Sequence, residues 1–351
     1  MVKSCLITGG AGFIGCEVSK LLEDEFDEIL VLDNFHPQVH PNQERPLFLS
    51  KKATIIIGDV CKEEDWNAFF GRYHPNVILH LAAETGTGQS LTESYRHTNV
   101  NVSGLAQMLD GIVRHNRFPE KIVLASSRAV YGEGCWKRKD GTTFYPSVRS
   151  RAQLDGGKWE FEDSVYLPSV SEYTIPHPVN VYGVTKHTQE MLLETWCRAF
   201  SVKYGIVRLQ NVYGPGQSLK NSYTGIVALF GRIAKSGGSI PLFEDGLMLR
   251  DFVYISDVAD AIHKVIKSPH VHNAIYDVSS GQSTTIQNIA TIISNLYQAP
   301  KPHVNGSYRL GDVRHAACTG DAIKVELAWE PRIGLNEGLT RLCGWIDNQL
   351  G

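Results

Sequence analysis

A phenol and an ammonium stand four residues apart in Tyr182-Gly183-Val184-Thr185-Lys186, which puts both on one face of a helix. A tyrosine whose pKa is about 10 works as a base near neutrality only if a nearby cation stabilises its phenolate. Lys186 can supply that charge. The spacing is common by chance and, taken alone, reads as a surface pair. Ala125-Ser126-Ser127 adds a hydroxyl at the end of an apolar run, where a parallel sheet would hold it at its carboxyl edge.

A second constellation lies at the start of the chain. The apolar run Cys5–Thr8 leads into Gly9-Gly10-Ala11-Gly12-Phe13-Ile14-Gly15, a G-x-x-G-x-x-G. Glycines there let the backbone approach a pyrophosphate, and the following helix offers free N–H groups and the positive end of its dipole. A glycine triplet alone is weak. Here it follows the first strand, opens an amphipathic helix and is followed by Asp33 at the end of the second strand, the place for a carboxylate on a ribose diol. An acid at 33 repels a 2′-phosphate and no arginine follows until Arg45, which favours NAD over NADP. Asp59 ends the third strand, where it faces the adenine amino group or simply forms a turn.

These groups need a scaffold, and the hydrophobic rhythm supplies one. Short apolar runs at Cys5–Thr8, Ile29–Leu32, Thr54–Ile57, Val77–Leu81 and Ile122–Leu124 alternate with helical stretches at Phe13–Asp24, Lys62–Tyr73 and Leu91–Arg117. Strands apolar throughout are covered on both faces. The fold class expected is α/β, a Rossmann-type doubly wound parallel sheet with a smaller C-terminal α/β substrate lobe. The rhythm breaks from Glu133 to Pro178 and resumes with a helix at Val181–Phe200 and a strand at Tyr204–Leu209. The expected division is residues 1–212 for the dinucleotide lobe, carrying 133–178 as an insertion, and 213–351 for the substrate lobe.

Composition narrows the function classes. The 351 residues carry 34 basic and 37 acidic side chains, a formal charge of -3 that gives no field for nucleic acid. No apolar run reaches the roughly 18 residues that span a bilayer, and Met1–Lys3 leads into a strand and not into a signal peptide. The seven cysteines are scattered and never form C-x-x-C, which argues for a reducing compartment, a cytoplasmic protein and no metal site.

Together these motifs resemble the extended short-chain dehydrogenase/reductase family over nearly the whole chain. Further matches are His80-Leu81-Ala82-Ala83, Thr98-Asn99-Val100, Arg208-Leu209-Gln210-Asn211-Val212-Tyr213-Gly214-Pro215-Gly216, Phe243, Arg250-Asp251-Phe252-Val253 and Arg309-Leu310-Gly311-Asp312. The resemblance implies a catalytic triad of Ser127, Tyr182 and Lys186. It implies an NAD site formed by Gly9, Gly12, Phe13, Ile14, Gly15, Asp33, Asn34, Asp59, Val60, Leu81, Ala82, Ala83 and Asn99 with Tyr182 and Lys186. It also implies a nucleotide-diphosphate-sugar site formed by Asn211, Asn221, Phe243, Arg250, Arg309 and Asp312. Two arginines on one diphosphate make chemical sense, because guanidinium grips phosphate bidentately and keeps its charge.

Sugar 4,6-dehydratases of the family carry Asp-Glu directly after the catalytic hydroxyl residue, and this chain has Arg128-Ala129. That leaves reversible oxidation at carbon 4, as in a nucleotide-sugar 4-epimerase. The alternatives are a 4-keto-sugar reductase, which Asp33 disfavours, and a non-catalytic NAD-sensing protein of the same fold. The 133–178 excursion is longer than in UDP-galactose 4-epimerases. It resembles the insertion of bacterial epimerases acting on dTDP-linked 6-deoxysugars such as dTDP-L-rhamnose, with UDP-hexose the other substrate class. Anchored on both sides at the chemistry, it is expected to form a lid. The resemblance further implies a homodimer through the helices at Leu91–Arg117 and Val181–Phe200.

Overall fold

A strand that is apolar at every position must be covered twice, and each strand of the large sheet sends alternate side chains into two cores. The computed structural model describes residues 2–219 and 225–350. Seven parallel strands, β1 (Ser4–Thr8), β2 (Glu28–Asp33), β3 (Ala53–Ile57), β4 (Val77–His80), β5 (Lys121–Ser127), β6 (Lys203–Leu209) and β7 (Ala274–Val278), lie in the order β7-β6-β5-β4-β1-β2-β3. Cys5 of β1 pairs with Ile29 on one side and Val77 on the other. Cys5, Ile7, Val31, Leu79 and Val123 pack on one face beneath helices α1 (Phe13–Leu21) and, later in the chain, Ile255–Lys267. Leu6, Leu30, Ile78, Ile122 and Leu124 pack on the other against Trp66, Phe69 and Phe70 of α2 (Glu63–Arg72). This is the doubly wound order that opens a crevice at the carboxyl ends of β1 and β4.

The helical region expected across Leu91–Arg117 comes in pieces: Ser94–Thr98, a wide π turn at Asn99–Ser103, then α3 (Gly104–Arg114). The extra residue in that turn accompanies a buried Asn101, whose side chain accepts from Glu84 N (2.8 Å) and donates to Glu84 O (3.0 Å) and Thr185 Oγ1 (2.9 Å). Gly104 follows because a Cβ there would stand 2.8 Å from Val60 Cγ2.

The boundary expected between residues 212 and 213 is not a clean one in space. After a three-residue strand at Asn211–Tyr213, the chain builds a smaller core around Val227, Phe230, Ile240, Leu242, Ile289, Leu339 and Ile346. It also returns to the large sheet, where β7 pairs with β6 from Ala274↔Gly205 to Val278↔Leu209. Residues 133–178 form their own three-stranded antiparallel sheet, Thr143–Phe144, Cys135–Arg138 and Ser164–Leu167, with a short helix at Arg151–Asp155. Among the described residues no helix is long and apolar enough to cross a membrane.

Candidate active site

The crevice at the carboxyl edge deepens into a cavity of about 810 Å³ that runs from the glycine loop to Phe243 and Arg309. At one end, β1 turns sharply at Gly9, whose φ of +63° suits glycine; a Cβ there would also lie 2.8 Å from the Ala82 backbone. Gly15 sits against Gly10 so closely that a Cβ would meet it at 2.5 Å, which lets α1 start tight against the sheet. Gly12 caps α1 without any side-chain acceptor, so the helix N-terminus faces the cavity with its N–H groups available to a ligand. Asp33 ends β2, buried, accepting from Ala11 N (3.1 Å) and Phe35 N (2.9 Å) while lining the cavity. Narrow glycine cradle, free helix end and carboxylate fit the pyrophosphate and ribose of NAD.

In the middle of the cavity, α4 (Val181–Phe200) begins at Asn180, whose side chain accepts from Gly183 N at 2.8 Å. Gly183 touches the turn after β5: a Cβ would stand 2.5 Å from Ala129 O. That contact is what the small residue after Tyr182 is for, because it draws the first turn of α4 against Ser127. Ser127 caps the short helical turn Arg128–Tyr131 by accepting from Ala129 N at 3.2 Å. Tyr182, Lys186 and Ser127 all line the cavity.

Burial pushes the Tyr182 phenol above its ordinary pKa, opposed by a hydrogen bond with Ser127 and by the charge of Arg128. Lys186 is buried too, and desolvation lowers its ammonium to about 7 against the pull of Glu190. Its Nζ donates to Gln189 Oε1 at 2.6 Å. Behind it, Glu190 is held by Arg208 Nη2 (2.8 Å) and Nε (3.0 Å), and Arg208 Nη1 donates to Tyr131 Oη (2.8 Å). The β5 turn, β6 and α4 are thereby bolted into one unit.

The far end carries Asn211, Phe243, Arg250, Arg309 and Asp312. The Arg309 guanidinium lies 5.0 Å above the Phe243 ring. Arg250 is buried and donates to the carbonyls of Leu249, Val313 and Arg314 at 2.7–2.9 Å. Asn34, Asp59, Val60, Leu81, Ala82, Ala83, Phe13 and Ile14 also line the cavity.

Two expectations come out differently, and a third falls outside the described residues. Asn99 does not line the cavity and contributes a backbone carbonyl to Cys61 Sγ. The buried asparagine that ties the loop after β4 to α4 is Asn101, two residues on, in an Asn-Val-Asn-Val run that offers both in the same context. Asn221 lies outside the described residues. The excursion places none of residues 133–178 in the cavity lining. Arg149 is instead buried against Glu244 (2.8 and 2.9 Å) and Glu133 (3.3 Å), Arg138 lies over Phe144, and Trp136 is buried among Phe161, Tyr166 and His315. These contacts tie the excursion to the segment around Glu244 and Arg314 and away from the cavity lining, which argues against a lid. Sequence reasoning also passed over Thr87, on the cavity wall, which donates to Asp312 Oδ1 at 3.3 Å; a lone threonine in a loop carries no signal.

Residues 5–152 and 161–279 match the model of the NAD dependent epimerase/dehydratase family. A dTDP-L-rhamnose 4-epimerase from Burkholderia thailandensis is 50% identical over 348 residues, spanning 99% of this chain and 96% of its own. UDP-glucose 4-epimerase of Thermotoga maritima, solved with UDP-glucose, superposes with a TM-score of 0.82 at 26% identity, covering 99% of this chain and 100% of its own. UDP-glucose 4-epimerase of Thermus thermophilus, solved with NAD, shares the fold at a TM-score of 0.79 and 24% identity, covering 98% of this chain and 99% of its own.

Proposed function

This chain belongs to the NAD dependent epimerase/dehydratase family, and from that premise we propose that it is an NAD-dependent nucleotide-sugar 4-epimerase whose substrate is a dTDP-linked 6-deoxyhexose. The observation that carries the reading is the meeting of Tyr182, Ser127 and Lys186 midway along one cavity, between a pyrophosphate cradle and a pair of arginines. The thymidine-linked sugar is favoured over a UDP-hexose by the 50% identical relative named for dTDP-L-rhamnose. Arg128-Ala129 in place of an acid pair argues against expulsion of water.

Tyr182 as phenolate takes the proton of the carbon-4 hydroxyl, and Ser127 hydrogen-bonds the same oxygen. When bound, NAD supplies a reversible acceptor for the carbon-4 hydrogen and its electron pair. Gly12 and the α1 N-terminus would hold its pyrophosphate, Asp33 its adenosine ribose, and Lys186 the second ribose, where its charge also stabilises the phenolate. The keto sugar turns, and Tyr182 returns the proton to the other epimer. Proton NMR of purified protein incubated with dTDP-, UDP-, GDP- and CDP-sugars checks this: a second epimer is expected from a dTDP-6-deoxysugar without added cofactor. Conversion of UDP-hexoses alone would move the substrate assignment.

The reading includes a cytoplasmic homodimer. Its support is the seven free cysteines and the exposed apolar side chains of Val184 and Met191 on α4 and of Leu91 and Tyr95 before the π turn. Light scattering is expected to give twice the 39.0 kDa chain mass.

A further inference from the structure

Arg128 is the residue next to Ser127, and the mechanism above gives it nothing to do. It lines the cavity beside Tyr182 and makes one hydrogen bond, from Nε to Asn211 Oδ1 at 3.2 Å. Among the described residues no carboxylate comes within ion-pair distance of it, and the same is true of Arg250, whose guanidinium is held by backbone carbonyls alone. Asp312 acts on both through space without pairing with either. Burial lowers the pKa of each, and the charge of Arg128 adds to the lowering of Arg250, to about 10. A half-buried guanidinium with a single hydrogen bond and a buried one held only by carbonyls, repelling one another in one cavity, suit an anion that would complete them.

We propose that Arg128 is a substrate-binding residue that takes the sugar-proximal phosphate, closing with Arg250 and Asn211 a clamp that holds the diphosphate beside Tyr182. This rests on the nucleotide-sugar reading. The anchor has a consequence for the reaction. A keto sugar that must present its other face has to turn about bonds to a phosphate that stays put, and a bidentate grip one residue from Ser127 fixes that pivot while leaving the ring free. Arg250 and Arg309, on the nucleotide side of the cavity, are left to hold the phosphate nearer the nucleoside.

The proposal separates a diphosphate from a monophosphate. Protein as purified, with its bound NAD, is titrated calorimetrically with dTDP and dTMP, and with UDP and UMP in parallel, for wild type, Arg128→Met and Arg128→Lys. Arg128→Met is expected to weaken the diphosphate by about tenfold or more, the size of a lost charge-assisted contact, and the monophosphate by less than about twofold. Arg128→Lys, which keeps the charge but not the fork, falls between. Melting temperature and retained NAD report folding, and should Arg128→Met not fold, Arg128→Lys carries the comparison. Variants that bind dTDP or UDP as tightly as wild type overturn the role of Arg128 while leaving the nucleotide-sugar reading intact. Wild-type protein that binds none of the four overturns that reading and the proposal with it.

Discussion

Two neighbouring regions of this molecule hold arginines withdrawn from solvent, and they treat them in opposite ways. Where the excursion meets the C-terminal segment, Arg314 is gripped by Glu160 (2.7 Å), Glu244 (3.0 Å) and Asp245 (2.7 and 2.8 Å), and Arg149 by Glu244 and Glu133. In the cavity, Arg128 and Arg250 have no carboxylate within ion-pair distance among the described residues, although the carbonyls of Val313 and Arg314 that hold Arg250 belong to the same stretch of backbone. A charge matched inside the protein stabilises one arrangement of the chain. One left unmatched costs stability and is retained where a ligand brings the counter-charge. The contrast therefore separates fold from function by charge balance alone.

The comparison is broken most forcefully from the matched side. Arg314→Met would strip Asp245 of its guanidinium, leave Glu160 to His315, and leave Glu244 and Glu133 to share Arg149, and a loss of about 3–5 kcal/mol in urea denaturation is expected, as for other buried pairs that lose one partner. A variant of wild-type stability would mean that the network does not hold the excursion down. On the cavity side, Tyr182→Phe is expected to lower turnover by about a hundredfold or more, as for removal of a general base, with melting temperature and bound NAD unchanged. Residual activity within about tenfold of wild type would take the phenol out of the chemistry.

A further effect concerns Lys186, another cavity-lining cation with no ion pair among the described residues. In NAD-stripped protein its folded pKa is about 7, against about 10.4 for an unfolded lysine. Between those values the unfolded chain binds the additional proton, so this group makes stability rise with pH across the window and imposes its full cost below about pH 7. Lys186→Met removes that cost. The variant's gain in melting temperature over stripped wild type is expected to be largest near pH 6.5 and to fade toward pH 10, and a difference flat with pH would contradict a buried, unmatched ammonium.

Most of the scaffold and the reacting groups were legible in the sequence because local rules govern them. A doubly covered strand has to be apolar throughout, as Ile29–Leu32 is; a glycine at Gly9 leaves room that nothing else would; and the Tyr182/Lys186 spacing is fixed by helix geometry. What escaped was set by tertiary partners. Asn101 and Asn99 look alike until Glu84 and Thr185 are in place. The strand Ala274–Val278 reads weakly because its apolar run is broken by Asp277, whose carboxylate accepts from Tyr131 Oη, so its partner lies nearly 150 positions earlier in the chain. The excursion read as a lid because both its ends lie at the chemistry, and only the fold brings Glu244 to its Arg149 and Arg314 to its Glu160.

That last strand also sets an order of events during synthesis. As the chain leaves the ribosome from its N-terminus, β1 to β6 can pair with one another, but β6 (Lys203–Leu209) keeps one row of N–H and C=O groups bare until Ala274–Val278 has emerged to cover it. For that interval the nascent protein carries an open, apolar sheet edge, the feature that invites pairing with another chain. A truncation after residue 212, tidy on paper, would make that exposure permanent.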